Sequence, residues 1–273
     1  MRGVNGTAAA ALDRVSAIAR EAGRAILAHA PAGVPCREKA DRSPVTAADL
    51  AAERAIVDGL RAWDRAIPII TEESSAPPAR DRAGWERWWL VDPLDGTKEF
   101  LANNGEFTVN IALMVDGDPV LGVVFAPALD LLYCGGRGLG SWRLAGASAP
   151  VRIHSRAGQP AQPARVVESR SHPSAALEAY LRSIRVGERI RLGSSLKFCR
   201  VAEGSADLYP RFGRTMEWDV AAGDCVFRNS AAWGERQSPI RYNTDDLAVP
   251  GFILGSDETE QVTASLAAMS AGE

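Results

Sequence analysis

The sequence predicts a layered sandwich of sheets and helices, α+β in its first half and α/β in its second. Three observations carry this. Apolar residues recur at 3- and 4-residue spacings over the first sixty positions, successive strand patterns follow between residues 107 and 134, and short strands alternate with helices beyond residue 165.

Residues 8–30 place Leu12, Val15, Ile18, Ala19, Ala22, Ile26 and Leu27 on one face, so they read as an amphipathic helix that stops before Pro31. A polar loop over 37–44 precedes a second helix from about Thr46 to Trp63, where Thr46-x-x-Asp49 has the pattern of a capping box. Ile67-Pro68-Ile69-Ile70-Thr71 is a short strand ending in Glu72-Glu73, and residues 77–84 are a loop. Trp88-Trp89-Leu90-Val91 reads as a buried strand. Strands follow at 107–115, 120–125 and 131–134, with Asp116-Gly117-Asp118 as a hairpin turn. The composition shifts to Gly, Ala, Ser, Pro and Gln over 145–163, which sets a boundary between an N-terminal α+β domain (residues 1–150) and a C-terminal α/β domain (residues 151–273). Beyond it the pattern gives strands at 165–168, 189–192, 207–209 and 251–255. Helices fall at 172–182, 195–203 and 219–227, with a final helix after 255.

A hydrophobic content of 46% suits a globular chain with a sizeable core. The net charge of −3 lacks the basic footprint of a nucleic-acid-binding protein. Cys36, Cys134, Cys199 and Cys225 are scattered, without zinc spacing, and read as reduced, partly buried thiols of a cytoplasmic protein. The first residues lack the pattern of a signal peptide, and no apolar stretch approaches the length of a membrane span.

The most informative segment is Asp92-Pro93-Leu94-Asp95-Gly96-Thr97. Two carboxylates three residues apart at a strand end cannot both be buried as charges without a cation. Gly96 permits close backbone approach, and Thr97 can open a helix whose free N–H groups face an anion. The alternative is a solvated turn. Glu72, at a strand end, is either a ligand or an exposed acid. Asp49 caps its helix, which leaves catalysis open. Asp219, after Glu217-Trp218, is a helix cap or a ligand beside Ala221-Ala222-Gly223, where something bulky approaches closely.

The order of these features resembles the magnesium-dependent inositol monophosphatase superfamily. KADRSPVTAAD at 39–49, WLVDPLDGTKEF at 89–100, NGEFTVNIAL at 104–113 and GSSLKFCRVAEGSADLYPRFG at 193–213 are similar to its 3′(2′),5′-bisphosphate nucleotidase branch of CysQ type. The resemblance spans roughly residues 10–255 and implies an αβαβα sandwich. It implies Mg²⁺ as cofactor, two to three ions, held by Glu72, Asp92, the carbonyl of Leu94, Asp95 and Asp219. Oxygen-only donors suit Mg²⁺, and the lack of His or Cys argues against zinc or iron. Four carboxylates together with a phosphate of about −2 require at least two divalent ions.

Catalysis by water, with Thr97 and Asp49 as a proton-accepting pair and Glu72 beside them, is likewise implied. Gly96 and Thr97 would hold the phosphate. Ser169, His172, Gly193 and Lys197 would form the nucleotide side, although on local sequence alone His172 and the Ser194–Ser195 pair read as cap-region polar residues and Lys197 as solvated. The implied reaction is hydrolysis of the 3′-phosphate of 3′-phosphoadenosine 5′-phosphate to AMP, in sulfur metabolism, with sensitivity to lithium. The alternatives are a broader inositol or sugar phosphatase and a silent phosphate-binding regulator. The expected partner is a small phosphorylated substrate, neither a nucleic acid polymer nor a membrane span; a homodimer is plausible from relatives, and peripheral membrane association stays open. One departure lies at 227–234, where Asn229 stands where relatives place a glycine stop, and is expected to adopt the left-handed cap.

Overall fold

The computed structural model describes residues 2–29, 36–38, 44–156, 163–171, 174–231, 238 and 240–255. The chain opens with helix α1 (Arg2–Leu27), the short antiparallel pair β1 (Cys36–Glu38) and β2 (Pro44–Thr46), and helix α2 (Ala47–Trp63). Then come β3 (Ile69–Thr71), α3 (Ala79–Arg82), β4 (Arg87–Asp95), α4 (Thr97–Leu101), β5 (Thr108–Val115), β6 (Asp118–Ala126), β7 (Leu131–Gly136), β8 (Gly140–Ala145) and β9 (Val151–Ile153). The remainder is β10 (Ala164–Ser169), α5 (Ala175–Ser183), β11 (Val186–Leu192), α6 (Leu196–Ala202), β12 (Leu208–Arg211), β13 (Thr215–Met216), α7 (Glu217–Arg228), β14 (Ala248–Val249) and β15 (Phe252–Gly255).

Strands β3 to β9 lie in sequence order in one sheet, antiparallel except for the parallel pair β3–β4. A second sheet has the order β11-β10-β12-β15, parallel but for β15. One face of the larger sheet packs Trp89, Val91, Val109, Ile111, Val123 and Phe125 against Val15, Ala19, Ala22 and Ile26 of α1 and Ala52, Ile56 and Leu60 of α2. The opposite face packs Trp88, Leu90, Ala112, Met114 and Val124 against α6 and α7, whose other side meets Val167, Tyr209, Phe252 and Leu254 of the smaller sheet. Leu177 and Leu181 of α5 cover that sheet's far side through Ala164, Val166 and Leu208. The layers therefore run helix, sheet, helix, sheet, helix: an αβαβα sandwich, as the resemblance implied.

β4 is buried on both faces, which is why Trp88-Trp89-Leu90-Val91 is a continuous apolar run without alternation. α7 is buried along most of its length for the same reason. Its middle needs small residues. A methyl on Gly223 would come within 2.7 Å of the Phe198 Cβ and Cγ, and one on Gly122 of β6 within 2.5 Å of the Ala222 carbonyl oxygen. The bulky group that Ala221-Ala222-Gly223 accommodates is thus the Phe198 ring of α6.

The hairpin turn is as expected: Asp116 and Gly117 both take positive φ, the two-residue turn that follows the twist of β5 and β6. Thr46 and Asp49 form the expected capping box. Cys134, Cys199 and Cys225 are reduced and buried.

Other expectations shift. β8 and β9 extend the larger sheet where the Gly- and Arg-containing sequence gave no strand pattern, and β9 lies within the 145–163 stretch. β11 begins at Val186 rather than 189, because an edge strand tolerates Glu188, Arg189 and Arg191. Ser174 caps α5, so that helix starts at Ala175. Asn229 is not left-handed: its φ is −90°, and its side-chain amide donates to the Cys225 carbonyl at 2.8 Å, doing the work of a glycine stop. The final helix, His172 and residues 39–43 lie outside the described residues. Among the described residues no helix is long and apolar enough to cross a membrane.

Gly223→Ala should lower unfolding stability by about 1–3 kcal/mol through overpacking against Phe198, despite the better helix propensity of alanine. Urea unfolding checks this; an unchanged midpoint would show that α6 and α7 part at no cost.

Candidate active site

The local sequence of β4 explains the first half of the site. Asp92 pairs with Asn110 of β5 and Asp95 with Thr108, so three steps on β4 oppose two on β5. The extra residue is a bulge, and Pro93, which has no N–H to give to the ladder, sits within it. Residues three apart in a regular strand face opposite ways; the bulge brings the Asp92 and Asp95 carboxylates to the same cleft. Gly96 then takes φ +89°, a turn that L side chains resist, and Thr97 starts α4 as expected. Parallel pairing of β3 with β4 brings the end of β3 beside Asp92: the Glu72 amide donates to the Val91 carbonyl at 3.1 Å.

Asp219 arrives from the first turn of α7. Its Oδ2 accepts from the Thr215 hydroxyl at 2.5 Å and the Met216 amide at 3.0 Å, so it caps the helix while lining the cleft. The cap reading holds, and the same carboxyl stands at the cleft. Ser195 ties the halves together: its hydroxyl lies 3.0 Å from Asp95 Oδ2 and 2.7 Å from the Asp219 carbonyl, and accepts from Asn110 at 2.8 Å.

The resulting cleft encloses about 720 Å³ and is lined by Glu72, Asp92, Leu94, Asp95, Gly96, Thr97, Ser169, Lys197 and Asp219 among the expected residues. Asp49 sits behind this wall. It is buried, its Oδ2 accepts from the Thr46 amide and hydroxyl at 2.7 and 2.6 Å, and its Oδ1 lies 3.4 Å from the Thr97 hydroxyl. Gly193 does not line the cleft. Its amide donates to Glu106, and it packs so closely on Glu99 and Glu106 that a methyl would meet them at 2.6–2.7 Å. Lys197 is buried rather than solvated, its ammonium held by the Ser194 carbonyl and placed 5.6 Å over the Tyr209 ring.

The charge distribution is lopsided. Burial, then the neighbouring charges of Glu72, Asp95 and Asp219, hold the Asp92 carboxyl well above the ordinary carboxylate range. Burial and Asp219 push Asp95 up to about 6, against the pull of Lys197 and the hydrogen bonds from Ser195 and Asn110. Asp219 is raised too, chiefly by burial, against its bonds from Thr215 and Met216. Crowded, desolvated carboxylates of this kind fit a hard divalent cation, and every available donor is oxygen. Among the described residues no three His, Cys, Asp or Glu side chains already enclose a common point. Mg²⁺ commonly takes one or two carboxylates and fills its shell with water.

Several lining residues escaped the sequence reading. Ser194 has φ +46°, rare for a non-glycine residue, and its buried hydroxyl has no hydrogen-bond partner. Arg211, on β12 beside Tyr209, likewise leaves its buried Nε without one. Both line the cleft, as do Glu99, Arg214 and Trp218. Arg211 had one available signal: it follows Tyr209 by two residues on a strand, so the two share a face. Nothing in the sequence marks the strained backbone of Ser194.

An αβαβα sandwich with an acid-walled cleft between its sheets defines a recognisable class. A family model described as the inositol monophosphatase family matches residues 9–234, and the chain belongs to that family. It is 49% identical over 249 residues to 3′(2′),5′-bisphosphate nucleotidase CysQ of Escherichia coli O157:H7, covering 88% of this chain and 98% of that protein. It is 33% identical over 249 residues to the protein of the same name from Aggregatibacter actinomycetemcomitans, covering 89% and 92%. The crystal structure of CysQ from Bacteroides thetaiotaomicron superposes with a TM-score of 0.74 at 38% identity, covering 93% of this chain and 98% of that one.

The raised carboxyls have a definite pH signature. An acid whose folded-state pKa lies above its unfolded value binds more protons when folded, so stability falls as pH rises through that window. The metal-free protein should therefore gain thermal stability on acidification from about pH 8 to about pH 5.5, with Asp95 titrating near 6. Saturating Mg²⁺ should flatten this slope. Asp92→Asn should raise the metal-free melting temperature and weaken the Mg²⁺-induced shift; calorimetry with and without chelator reads all three.

Proposed function

We propose that this chain is a Mg²⁺-dependent 3′(2′),5′-bisphosphate nucleotidase that hydrolyses the 3′-phosphate of 3′-phosphoadenosine 5′-phosphate, giving AMP and phosphate. The name and 49% identity of the Escherichia coli relative support the substrate class. The observation that carries the reading is a pairing of opposites in one cleft. Acidic oxygens line one side, while the other holds Lys197 and the partnerless donors Ser194 Oγ and Arg211 Nε. Buried donors without acceptors are costly, and a second phosphate on the substrate satisfies them.

Glu72, Asp92, the Leu94 carbonyl, Asp95 and Asp219 would hold two to three Mg²⁺ ions. When bound, the ions supply the positive charge that a phosphate ester of about −2 requires, and they acidify water and stabilise the leaving oxygen. The remaining chemistry belongs to the chain. The Gly96–Thr97 turn presents backbone amides to the phosphate oxygens. The Thr97 hydroxyl, next to Asp49, accepts the proton of the attacking water as its own moves toward Asp49 Oδ1. Asp49 is suited to this because its other oxygen is already fixed by the helix cap. Attack is by water in a single displacement; Ser195, the serine beside the acids, has its hydroxyl engaged by Asp95, Asn110 and the Asp219 carbonyl. Ser169, Ser194, Lys197 and Arg211 would take the nucleoside and its 5′-phosphate, with Gly193 shaping their junction; His172 is assigned to this side by resemblance alone.

Turnover of 3′-phosphoadenosine 5′-phosphate should exceed that of inositol 1-phosphate and fructose 1,6-bisphosphate by at least about 100-fold in kcat/KM, because the first has no second phosphate for the far-wall donors and the second lacks the nucleoside that sets the span between the walls. Equal turnover of all three would replace the nucleotidase reading with that of a broad sugar phosphatase. Activity should fall in millimolar-range lithium. Thr97→Ala should lower kcat by about 10²–10⁴-fold with little change in the folding midpoint, measured by steady-state kinetics and urea unfolding.

A further inference from the structure

The two walls of the cleft come from different sheets, and they meet at one polar junction outside the cleft itself. Glu106, in the loop between α4 and β5, receives a two-pronged bond from Arg170: Nε to Oε2 at 2.8 Å and Nη2 to Oε1 at 2.7 Å. The same Oε2 accepts the Gly193 amide at 2.8 Å. Arg170 also donates to the Arg191 carbonyl at 2.8 Å, and its own amide donates to the Leu192 carbonyl at 3.1 Å. At the next residue, the Ser171 hydroxyl donates to Glu99 of α4 at 2.5 Å. One carboxylate therefore joins the segment that follows Gly96–Thr97 to the ends of both β10, which carries Ser169, and β11, which leads into Gly193–Lys197.

We infer that Glu106 and Arg170 are positioning residues that fix the width of the cleft between the carboxylate-bearing turn and the Ser169/Lys197 wall. They thereby govern recognition of a ligand that spans both walls. This rests on the nucleotidase reading above.

Geometry supports a clamp rather than a decorative surface pair. A fork-shaped guanidinium bond constrains orientation as well as distance, unlike a point contact. The third ligand of Glu106 is a backbone amide, so the register of the β11–α6 junction is held by the same carboxylate. Gly193 is pressed against Glu99 and Glu106 too closely for any side chain, so the two walls are in direct contact there. Burial opposes the Glu106 charge, but Arg170 and the Gly193 amide outweigh it and hold the carboxyl below its ordinary range, so the clamp is closed at neutral pH. Neither Glu106 nor Arg170 lines the cleft, so neither touches the reacting atoms.

The consequence differs by substrate. A bisphosphorylated nucleoside pairs one phosphate with the acidic wall and the rest of the molecule with the far wall, and benefits when the spacing is set in advance. A small phosphomonoester needs the acidic wall alone. Arg170→Ala, at a half-exposed side chain, removes the clamp with little threat to folding, and Glu106→Gln keeps the acceptor for Gly193 while weakening the guanidinium bond. For 3′-phosphoadenosine 5′-phosphate, Arg170→Ala should raise KM by about 5–20-fold with kcat within about twofold, and Glu106→Gln should raise it less. KM for inositol 1-phosphate should stay within about twofold in both. Hydrogen exchange of the peptide spanning residues 191–197 should quicken in Arg170→Ala, and this readout needs no substrate. The inference is overturned if exchange is unchanged, if both substrates lose equally, or if kcat falls while KM holds. A wild-type enzyme inactive on the bisphosphate nucleotide would instead remove the nucleotidase reading, and the exchange measurement alone would then decide the clamp.

Discussion

Repulsion among Asp92, Asp95, Asp219 and Glu72 is the constraint around which the molecule is arranged. They arrive by three devices: a strand bulge for Asp92 and Asp95, a parallel strand end for Glu72 and the first turn of a buried helix for Asp219. None of these would be retained for stability alone, since withdrawing carboxylates from water raises their free energy unless positive charge is near. Lys197 and Arg211 stand close enough to moderate Asp95 and Asp219, but two such groups do not balance the set. The excess negative charge is what suits the cleft, in the reading proposed above, to divalent ions and through them to phosphate.

The five layers give this arrangement its rigidity. α7 is the shared middle element, packed on the larger sheet on one side and near the smaller sheet through α6 on the other. Its small residues let it lie close to β6 and to Phe198, so the turn carrying Asp219 is held by packing along the helix as well as by its own cap. A second brace runs through Arg82, which is almost wholly buried and donates to the side chain of Asn243 and the carbonyls of Thr244 and Asp245. That loop in turn donates to Glu217, two residues before Asp219, from the Asn243 and Thr244 amides. The acidic wall is thus fixed from both sides, whereas its opposite wall is tied to it by Ser195 within the cleft and by the junction at Glu106 outside it.

What could be read in the sequence follows from how local each cause is. The carboxylate turn was legible because strand, proline bulge, glycine turn and helix start occupy adjacent positions. The Thr46–Asp49 cap and the Asp116–Gly117 hairpin were legible for the same reason. Arg82 was not: in a loop rich in Pro and Arg it reads as solvated, and only a segment some 160 residues downstream buries it. Local sequence alone leaves Lys197 solvated, because its partners are backbone carbonyls and a ring on a strand of the smaller sheet; only the resemblance assigned it to the nucleotide side. Asn229 was expected to mimic glycine through its backbone; instead its amide side chain supplies the missing donor. The strand β9 escaped because an edge position relaxes the hydrophobic alternation on which strand recognition rests, and β8 because its Gly, Ser and Arg residues break that alternation.

Asp49 divides its two oxygens between separate duties, one closing the start of α2 and one facing the Thr97 hydroxyl. Genetic dissection of this position is therefore confounded by construction. A substitution here loosens a helix whose inner face belongs to the core under β4 and at the same time strips the Thr97 hydroxyl of the oxygen it faces. Such an aspartate is anchored twice over without ever reaching the cleft.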